Sequence, residues 1–237
     1  FWIDRGGTFT DCIGRAPDGR RFTCKLLSSD SAPVEGIRSI LAREEGLGPG
    51  EPLPPCEVKL GSTVATNALL ERRGAPTVLV ANCGLGDVLA IGTQERPALF
   101  DLNIRRSPVL HSEVVECAGR VSVTGVEVEA LDLEGLSAKL VDARERGLDS
   151  IAISLTHAYA FPEFEERIAE RARKLGFAHV VCSHEIAREM GLLARGETTV
   201  ADAYLTPLLR AHVSDLVEAL PGSRLRFMQS SGGLTDA

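Results

Sequence analysis

No stretch of this 237-residue sequence is apolar for long enough to cross a membrane, and its start lacks a charged leader followed by an apolar core. The chain therefore reads as soluble and cytoplasmic. Clustered basic residues are missing as well. The net charge is −7, and the doublets Arg20-Arg21, Arg72-Arg73 and Arg105-Arg106 stand isolated, so neither nucleic acid nor an anionic membrane surface is an expected partner. The six cysteines (Cys12, Cys24, Cys56, Cys83, Cys117, Cys182) contain no CxxC pair, and the five histidines show no HExxH spacing. Those absences argue against a zinc site and a disulfide framework, and for buried thiols. The sequence also has no Met at its start and no closing element after Gly232-Gly233; a piece of a longer protein is the expectation.

What is present is ordinary globular material, 44% hydrophobic and 25% charged, enough for one large or two modest domains. The opening run Phe1-Trp2-Ile3-Asp4-Arg5-Gly6-Gly7-Thr8-Phe9-Thr10-Asp11 reads as a strand, a glycine turn and a returning strand. Gly6 and Gly7 let backbone N–H groups curl around an anion, and Thr8 and Thr10 can add hydroxyl donors, which describes a phosphate cradle. Asp4 and Asp11 flank it, where carboxylates hold Mg²⁺ through water or orient a nucleophile. A plain hairpin with a Gly-Gly turn is the alternative.

Downstream, the apolar spacing predicts strands over 11–15 and 21–27, a helix opened by Pro33, a strand over 58–62, a helix over 63–73 and a strand over 77–81. Beyond that, strands over 151–155 and 179–182 alternate with helices over 132–147 and 162–174, the rhythm of a parallel sheet with helices on its faces. A long helix over 197–220 carries Pro207, which predicts a kink or break near Thr206. His157 follows a strand's C-terminal end, and the roles of His157 and His184 stay open.

Asp4-x-Gly6-Gly7-Thr8-x-Thr10-Asp11 resembles the first phosphate loop of the hydantoinase and 5-oxoprolinase family, within the actin, sugar kinase and Hsp70 superfamily of ATPases. Three further segments resemble the family in its own order: Gly61-Ser62-Thr63-Val64-Ala65-Thr66-Asn67-Ala68, with Ser62 where Thr is common; Arg195-Gly196-Glu197-Thr198-Thr199-Val200-Ala201-Asp202-Ala203-Tyr204-Leu205-Thr206-Pro207; and Met228-Gln229-Ser230-Ser231-Gly232-Gly233. The stretch 92–102, with Gln94 and Arg96 as candidates for an anionic substrate, is similar to 5-oxoprolinases in particular.

The resemblance implies a ribonuclease-H-like (actin-like ATPase) half domain over 1–76, followed by a second α/β region with a mostly parallel sheet over 77–237. It implies ATP and Mg²⁺ as cofactors, a small cyclic amide as substrate, and ATP-driven opening of 5-oxo-L-proline to L-glutamate. Hydantoin hydrolysis, ketone carboxylation and a non-catalytic nucleotide-binding scaffold remain the alternatives. Gly6, Gly7, Thr8 and Thr10 would hold phosphate, Asp4 would orient Mg²⁺ through water, and Asp11 would serve as base or metal partner. Thr63, Thr66, Asn67, Arg96 and Ser230, Ser231, Gly232 and Gly233 would line the cleft or face substrate, and Arg195, Glu197 and Thr199 can reach a cleft between lobes. Partners would be the rest of the polypeptide, a hydantoinase B-like domain or subunit, and further copies in an oligomer. A second glycine-rich phosphate loop is missing from these residues, so this region alone is expected to bind ATP weakly and not to turn it over.

Overall fold

The computed structural model of the chain describes residues 1–94, 100, 102–103 and 108–237. In chain order its elements are β1 (Trp2–Arg5), β2 (Phe9–Arg15), β3 (Arg21–Leu27), α1 (Ala32–Glu45), β4 (Glu57–Ser62), α2 (Val64–Leu70), β5 (Thr77–Asn82) and α3 (Val88–Ile91). There follow β6 (Glu113–Cys117), β7 (Arg120–Val121), β8 (Glu127–Glu129), α4 (Leu133–Glu145), β9 (Ser150–Ile153), α5 (Glu163–Lys174) and β10 (His179–Cys182). The last are α6 (Ser183–Ile186), α7 (Leu192–Ala219), β11 (Arg224–Met228) and β12 (Leu234–Asp236). They form two compact units, residues 1–73 with 208–237, and residues 74–207.

In the first unit six strands make one sheet in the order β12-β11-β4-β1-β2-β3. β1, β2 and β3 are an antiparallel meander, β4 lies parallel beside β1, and β11 parallel beside β4. This is the ribonuclease-H-like half domain that the resemblance implies. Alternation along β2 shows how its faces differ: Thr10, Cys12 and Gly14 are buried, while Phe9, Asp11, Ile13 and Arg15 are exposed. Ile37, Ile40 and Leu41 of α1 and Leu216 and Leu220 of α7 cover the buried face, packing on Ile3, Val58, Leu60 and Leu225. Pro33 sits in the first turn of α1, where its missing N–H is harmless, and Gly46 closes the helix at φ 74°.

The sequence boundary at 76 gave everything beyond it to the second region. The strand pairing differs, because Leu225 of β11 stands in register with Val58 of β4 and returns residues 208–237 to the first unit. Such a pairing joins residues far apart in the chain and leaves no local mark.

The second unit is built on four parallel strands in the order β10-β9-β5-β6. β5 is buried at every position and β9 likewise, as central strands covered on both faces require. One face packs Val78, Val80, Ile151 and Ile153 against Leu136 and Leu140 of α4 and Ile168 and Ala172 of α5. The other packs Leu79, Ala152 and Val181 against Val200 and Ala203 of α7. The mostly parallel second sheet is thus as expected.

Of the kink or break expected near Thr206, the break does not occur: α7 is one helix with Pro207 inside it. Proline has no N–H for the carbonyl four residues back, which is Ala203. Here the buried Ser150 hydroxyl donates to that carbonyl at 2.6 Å, and the Ala75 N–H donates to Tyr204 O at 2.8 Å. The carbonyl that proline would leave unpaired is therefore satisfied from outside the helix. Ser150→Ala is expected to lower stability by about 1–3 kcal/mol, the cost of a buried acceptor without a donor. Urea unfolding of the variant beside wild type checks this, and equal midpoints would show that the carbonyl finds another donor.

Candidate functional site

Because β1, β4 and β11 run parallel, their C-terminal ends share one edge of the first sheet. That edge carries the 6–8 loop, the β4–α2 junction and the 229–233 turn, three of the four motif segments. Open α/β sheets place their sites at such edges. Registry holds the segments together: Asp4 pairs with Gly61, Arg5 with Ser62 and Phe227 with Leu60. A Cβ built on Gly61 would lie 3.6 Å from Asp4 Oδ1 and 4.0 Å from the Met228 methyl.

The glycine loop is closed from within. Gly6 N–H donates to Phe9 O at 3.0 Å, and Ser28 pins the loop from the side, its N–H on Thr8 O at 2.9 Å and its hydroxyl on Gly6 O at 2.7 Å. Thr10 is fully buried, 3.0 Å from Ser28 Oγ. Since the single Ser28 proton goes to Gly6, Thr10 is the donor in that pair. Thr10 is therefore a brace beneath the loop rather than a phosphate ligand, and the Gly6 amide is already occupied. Gly7 and Thr8 are exposed, and no acceptor among the described residues meets their N–H groups.

Beside the loop lies a cleft of about 410 Å³ whose lining includes Arg5, Gly7, Thr63, Asn67, Glu71 and Arg73. Thr63 precedes α2 without capping it; its N–H and hydroxyl both donate to Arg5 O, at 3.0 and 3.2 Å, and the hydroxyl accepts from Asn67 Nδ2 at 3.2 Å. Asn67 in turn flanks the loop, since a Cβ on Gly7 would stand 3.3 Å from its Nδ2. Thr66, one residue before, is exposed and outside that lining. Glu71 and Arg73 form an ion pair in the cleft.

Asp4 and Asp11 do not join this cleft. Strand alternation puts them on the sheet face opposite Arg5 and Thr10, facing each other across β1 and β2. Both Asp11 oxygens accept from Lys25 Nζ at 3.0 Å, whereas the Asp4 carboxylate has no hydrogen-bond or ion-pair partner among the described residues. That difference fits Asp4, rather than Asp11, for the waters of a bound cation. Ser230, Ser231, Gly232 and Gly233 form the exposed turn after β11, closed by Gln229 N–H on Gly233 O at 2.8 Å and Gly232 N–H on Gln229 O at 2.9 Å. Gln94 has a positive φ of 58°, and Arg96 lies outside the described residues. Sequence reasoning missed Arg5 and Ser28; the polar run Ser28-Ser29-Asp30-Ser31 before α1 was the signal available.

The fourth motif serves the second unit differently. Arg195 is fully buried, with Nε on Ser183 Oγ at 2.8 Å, Nη1 on Glu189 O at 2.6 Å and Nη2 on Leu155 O at 2.5 Å. It does not reach a cleft, Thr199 is buried with its hydroxyl on Arg195 O at 2.6 Å, and Glu197 is exposed on the helix. Ser183 passes its proton to Glu165 Oε1 at 2.6 Å, which also accepts Leu155 N–H at 2.9 Å, while Oε2 accepts His184 N–H at 3.2 Å and Nδ1 at 2.7 Å. Glu165, Cys182 and His184 lie close enough to suggest a metal. The chemistry argues otherwise: each Glu165 oxygen already has two protein donors, and burial pushes the Cys182 thiol up to about 12. His157 adopts φ 62°, with its ring edge-on to Tyr159 at 6.3 Å.

The Glu165 hydrogen bond raises the His184 pKa above its ordinary value of 6.5. A raised folded pKa means that this stabilisation is complete below about 6.5 and is lost as pH rises through the folded value. Stability of the second unit is accordingly expected to fall with rising pH in that window, and His184→Asn to flatten the slope; denaturation midpoints from pH 5.5 to 8.5 test it.

Buried thiols hold for Cys12, Cys117 and Cys182, whereas Cys83 is exposed. No helix among the described residues is long and apolar enough to cross a membrane.

Comparison with known proteins adds relatives to this geometry. Residues 1–176 match the family model described as hydantoinase/oxoprolinase N-terminal region. The chain is 38% identical to 5-oxoprolinase 1 of Arabidopsis thaliana and 35% identical to the 5-oxoprolinase of Saccharomyces cerevisiae, in each case over 99% of this chain. It spans only 21% and 22% of those two relatives. Among solved structures, the ATP-dependent caprolactamase from Pseudomonas jessenii superposes with a TM-score of 0.82 at 30% identity, over 98% of this chain and 36% of that one.

Proposed function

Because the chain belongs to the hydantoinase/oxoprolinase N-terminal family, we propose that it is the phosphate-binding N-terminal part of an ATP-dependent 5-oxoprolinase. The observation that carries this reading is the assembly of three family motif segments at one sheet edge, beside a cleft of about 410 Å³, in a chain similar along its whole length to 5-oxoprolinases. The likeness to a caprolactamase supports the coarser statement that the substrate is a cyclic amide.

A lactam carbonyl is a poor electrophile. Transfer of the γ-phosphoryl of ATP to its oxygen releases ADP and activates the carbon; one water adds there, the ring C–N bond breaks as the nitrogen takes a proton, and a second water cleaves the resulting acyl phosphate to carboxylate and inorganic phosphate. In this division of labour the free Gly7 and Thr8 amides hold phosphoryl oxygens, and Asn67 and Thr63 shape the wall beside them. Asp4 would take the waters of Mg²⁺, which when bound supplies charge neutralisation at the phosphates. Asp11, kept beside Lys25, orients rather than ligates, and the turn from Ser230 to Gly233 faces substrate. The rest of the polypeptide and a partner subunit would supply the second phosphate loop and the adenosine pocket.

The test is phosphate release from Mg-ATP by the full-length protein, with 5-oxo-L-proline, hydantoin or acetone added separately. Stimulation by 5-oxo-L-proline with L-glutamate formed is the expected result. Stimulation by hydantoin or acetone alone would overturn the substrate and keep the phosphate site; no stimulation by any would favour a scaffold.

A further inference from the structure

We propose that Arg5 is a phosphoryl-binding residue of the cleft, and that Asp30 is an internal carboxylate that occupies its guanidinium until a phosphoryl group displaces it. The inference rests on the cleft being a phosphate site and adds a cation to the glycine loop's amides.

Arg5 ends β1 on the covered face of the sheet, opposite the buried Thr10. Its side chain is only 12% exposed, so its charge needs partners. Nη1 lies 3.2 and 3.3 Å from the two ring nitrogens of His212, a buried residue. Arginine can only donate, so the ring accepts through an unprotonated nitrogen. Burial, reinforced by the charge of Arg5, lowers the His212 pKa and keeps it neutral. His212 thus fixes the guanidinium from one side without balancing its charge.

The anion bonded to Arg5 is Asp30, with Nη2 donating to Oδ1 at 2.6 Å. Asp30 stands on the segment between β3 and α1, and its side chain is 88% exposed. An ion pair with one partner in water holds weakly. A phosphoryl group presents two oxygens to the guanidinium fork and is the better partner. Position favours this exchange. Arg5 O is clamped by Thr63, and the next residues in the chain are the glycines whose loop leaves the Gly7 and Thr8 amides unpartnered. Gly7 and Arg5 line the same cleft, so a tetrahedral phosphoryl group bound there faces an unpartnered amide as well as the fork. Arg73, held by Glu71, adds a second cation to the same lining.

The test titrates inorganic phosphate, and separately a non-hydrolysable Mg-ATP analogue and 5-oxo-L-proline, into the full-length enzyme by calorimetry. Wild type is compared with Arg5→Met, Arg5→Lys and Asp30→Asn. Arg5→Met is expected to weaken phosphate about ten- to hundredfold, as loss of a charged hydrogen-bond donor implies. Asp30→Asn is expected to tighten it about two- to fivefold, the equivalent of a weak exposed pair. If Arg5→Met does not fold, Arg5→Lys keeps the charge without the fork and must itself weaken phosphate. Wild-type affinity in a folded Arg5 variant overturns the role of Arg5 and leaves the cleft reading standing. Asp30→Asn weakening phosphate as Arg5→Met does would make Asp30 a support and overturn the exchange. A loss of 5-oxo-L-proline affinity alone would give Arg5 to a carboxylate and overturn the proposal, and a wild type that binds no phosphate would overturn both readings.

Discussion

Glu165→Ala is expected to lower stability by about 3–5 kcal/mol, because it leaves a buried guanidinium without its nearby counter-charge and several donors without their acceptor. Glu165 sits in the first turn of α5, fully buried, and takes four hydrogen bonds: from Leu155 N–H, Ser183 Oγ, His184 N–H and His184 Nδ1. Through Ser183 it also meets Arg195, whose Nη2 holds Leu155 O. The segments after β9 and β10 are thereby tied to α5 and α7 by one polar cluster. Removing a single member strands the others, since interior polar groups cannot turn to water. Glu165→Gln keeps the volume and some acceptor capacity, so it should lie between wild type and alanine. Hydrogen exchange of β9 and β10 amides, read beside β1 and β4 as internal reference, measures the effect. Equal protection loss in both units, or none in either, would contradict the placement of this cluster.

Asp4→Asn is expected to reduce ATP cleavage by the full-length enzyme by about 10²–10³-fold while leaving its melting temperature unchanged, the magnitude associated with losing one preorganised electrostatic contact. The carboxylate is exposed and partnerless among the described residues, so little folding energy depends on it. Asp11→Asn is the informative neighbour. Its ion pair with Lys25 is exposed on both sides, 57% and 54%, and contributes little to stability; its loss should affect turnover less than Asp4→Asn does. Initial rates of phosphate release over a Mg²⁺ series separate the two. A variant at position 4 that keeps wild-type turnover and the same Mg²⁺ dependence removes the metal role assigned to Asp4.

Much of the architecture was legible because it is written in short-range periodicity. Alternation along 9–15 and 21–27, the apolar runs of β5 and β9, Pro33 and Gly46 around α1, and Asp132 before α4 are each signals within a few residues. Asp132 indeed accepts Gly135 N–H at 2.9 Å at the start of that helix. The glycine loop was legible for the same reason: a tight turn beside strands needs residues without a Cβ. Less legible was what each hydroxyl does. Thr8 and Thr10 look equivalent in the motif, yet the period of two turns Thr10 into the core while Thr8 stays at the loop tip.

Taken alone, the sequence determined the half domain at its start, the parallel sheet that follows, and the motif segments by which the family is recognised. Only the tertiary structure decided how the functional residues are shared out. It set Asp4 and Arg5, neighbours in the chain, on opposite faces of one strand, and brought Ser28, Asp30 and His212 to the loop. It sent β11 back beside β4, and gave the Ala203 carbonyl that Pro207 leaves open its donor in Ser150. The reason is physical: turn and strand stereochemistry act between adjacent residues, whereas these pairings depend on which surfaces pack together after the chain has closed loops of twenty to two hundred residues, roughly, and no local pattern carries that information.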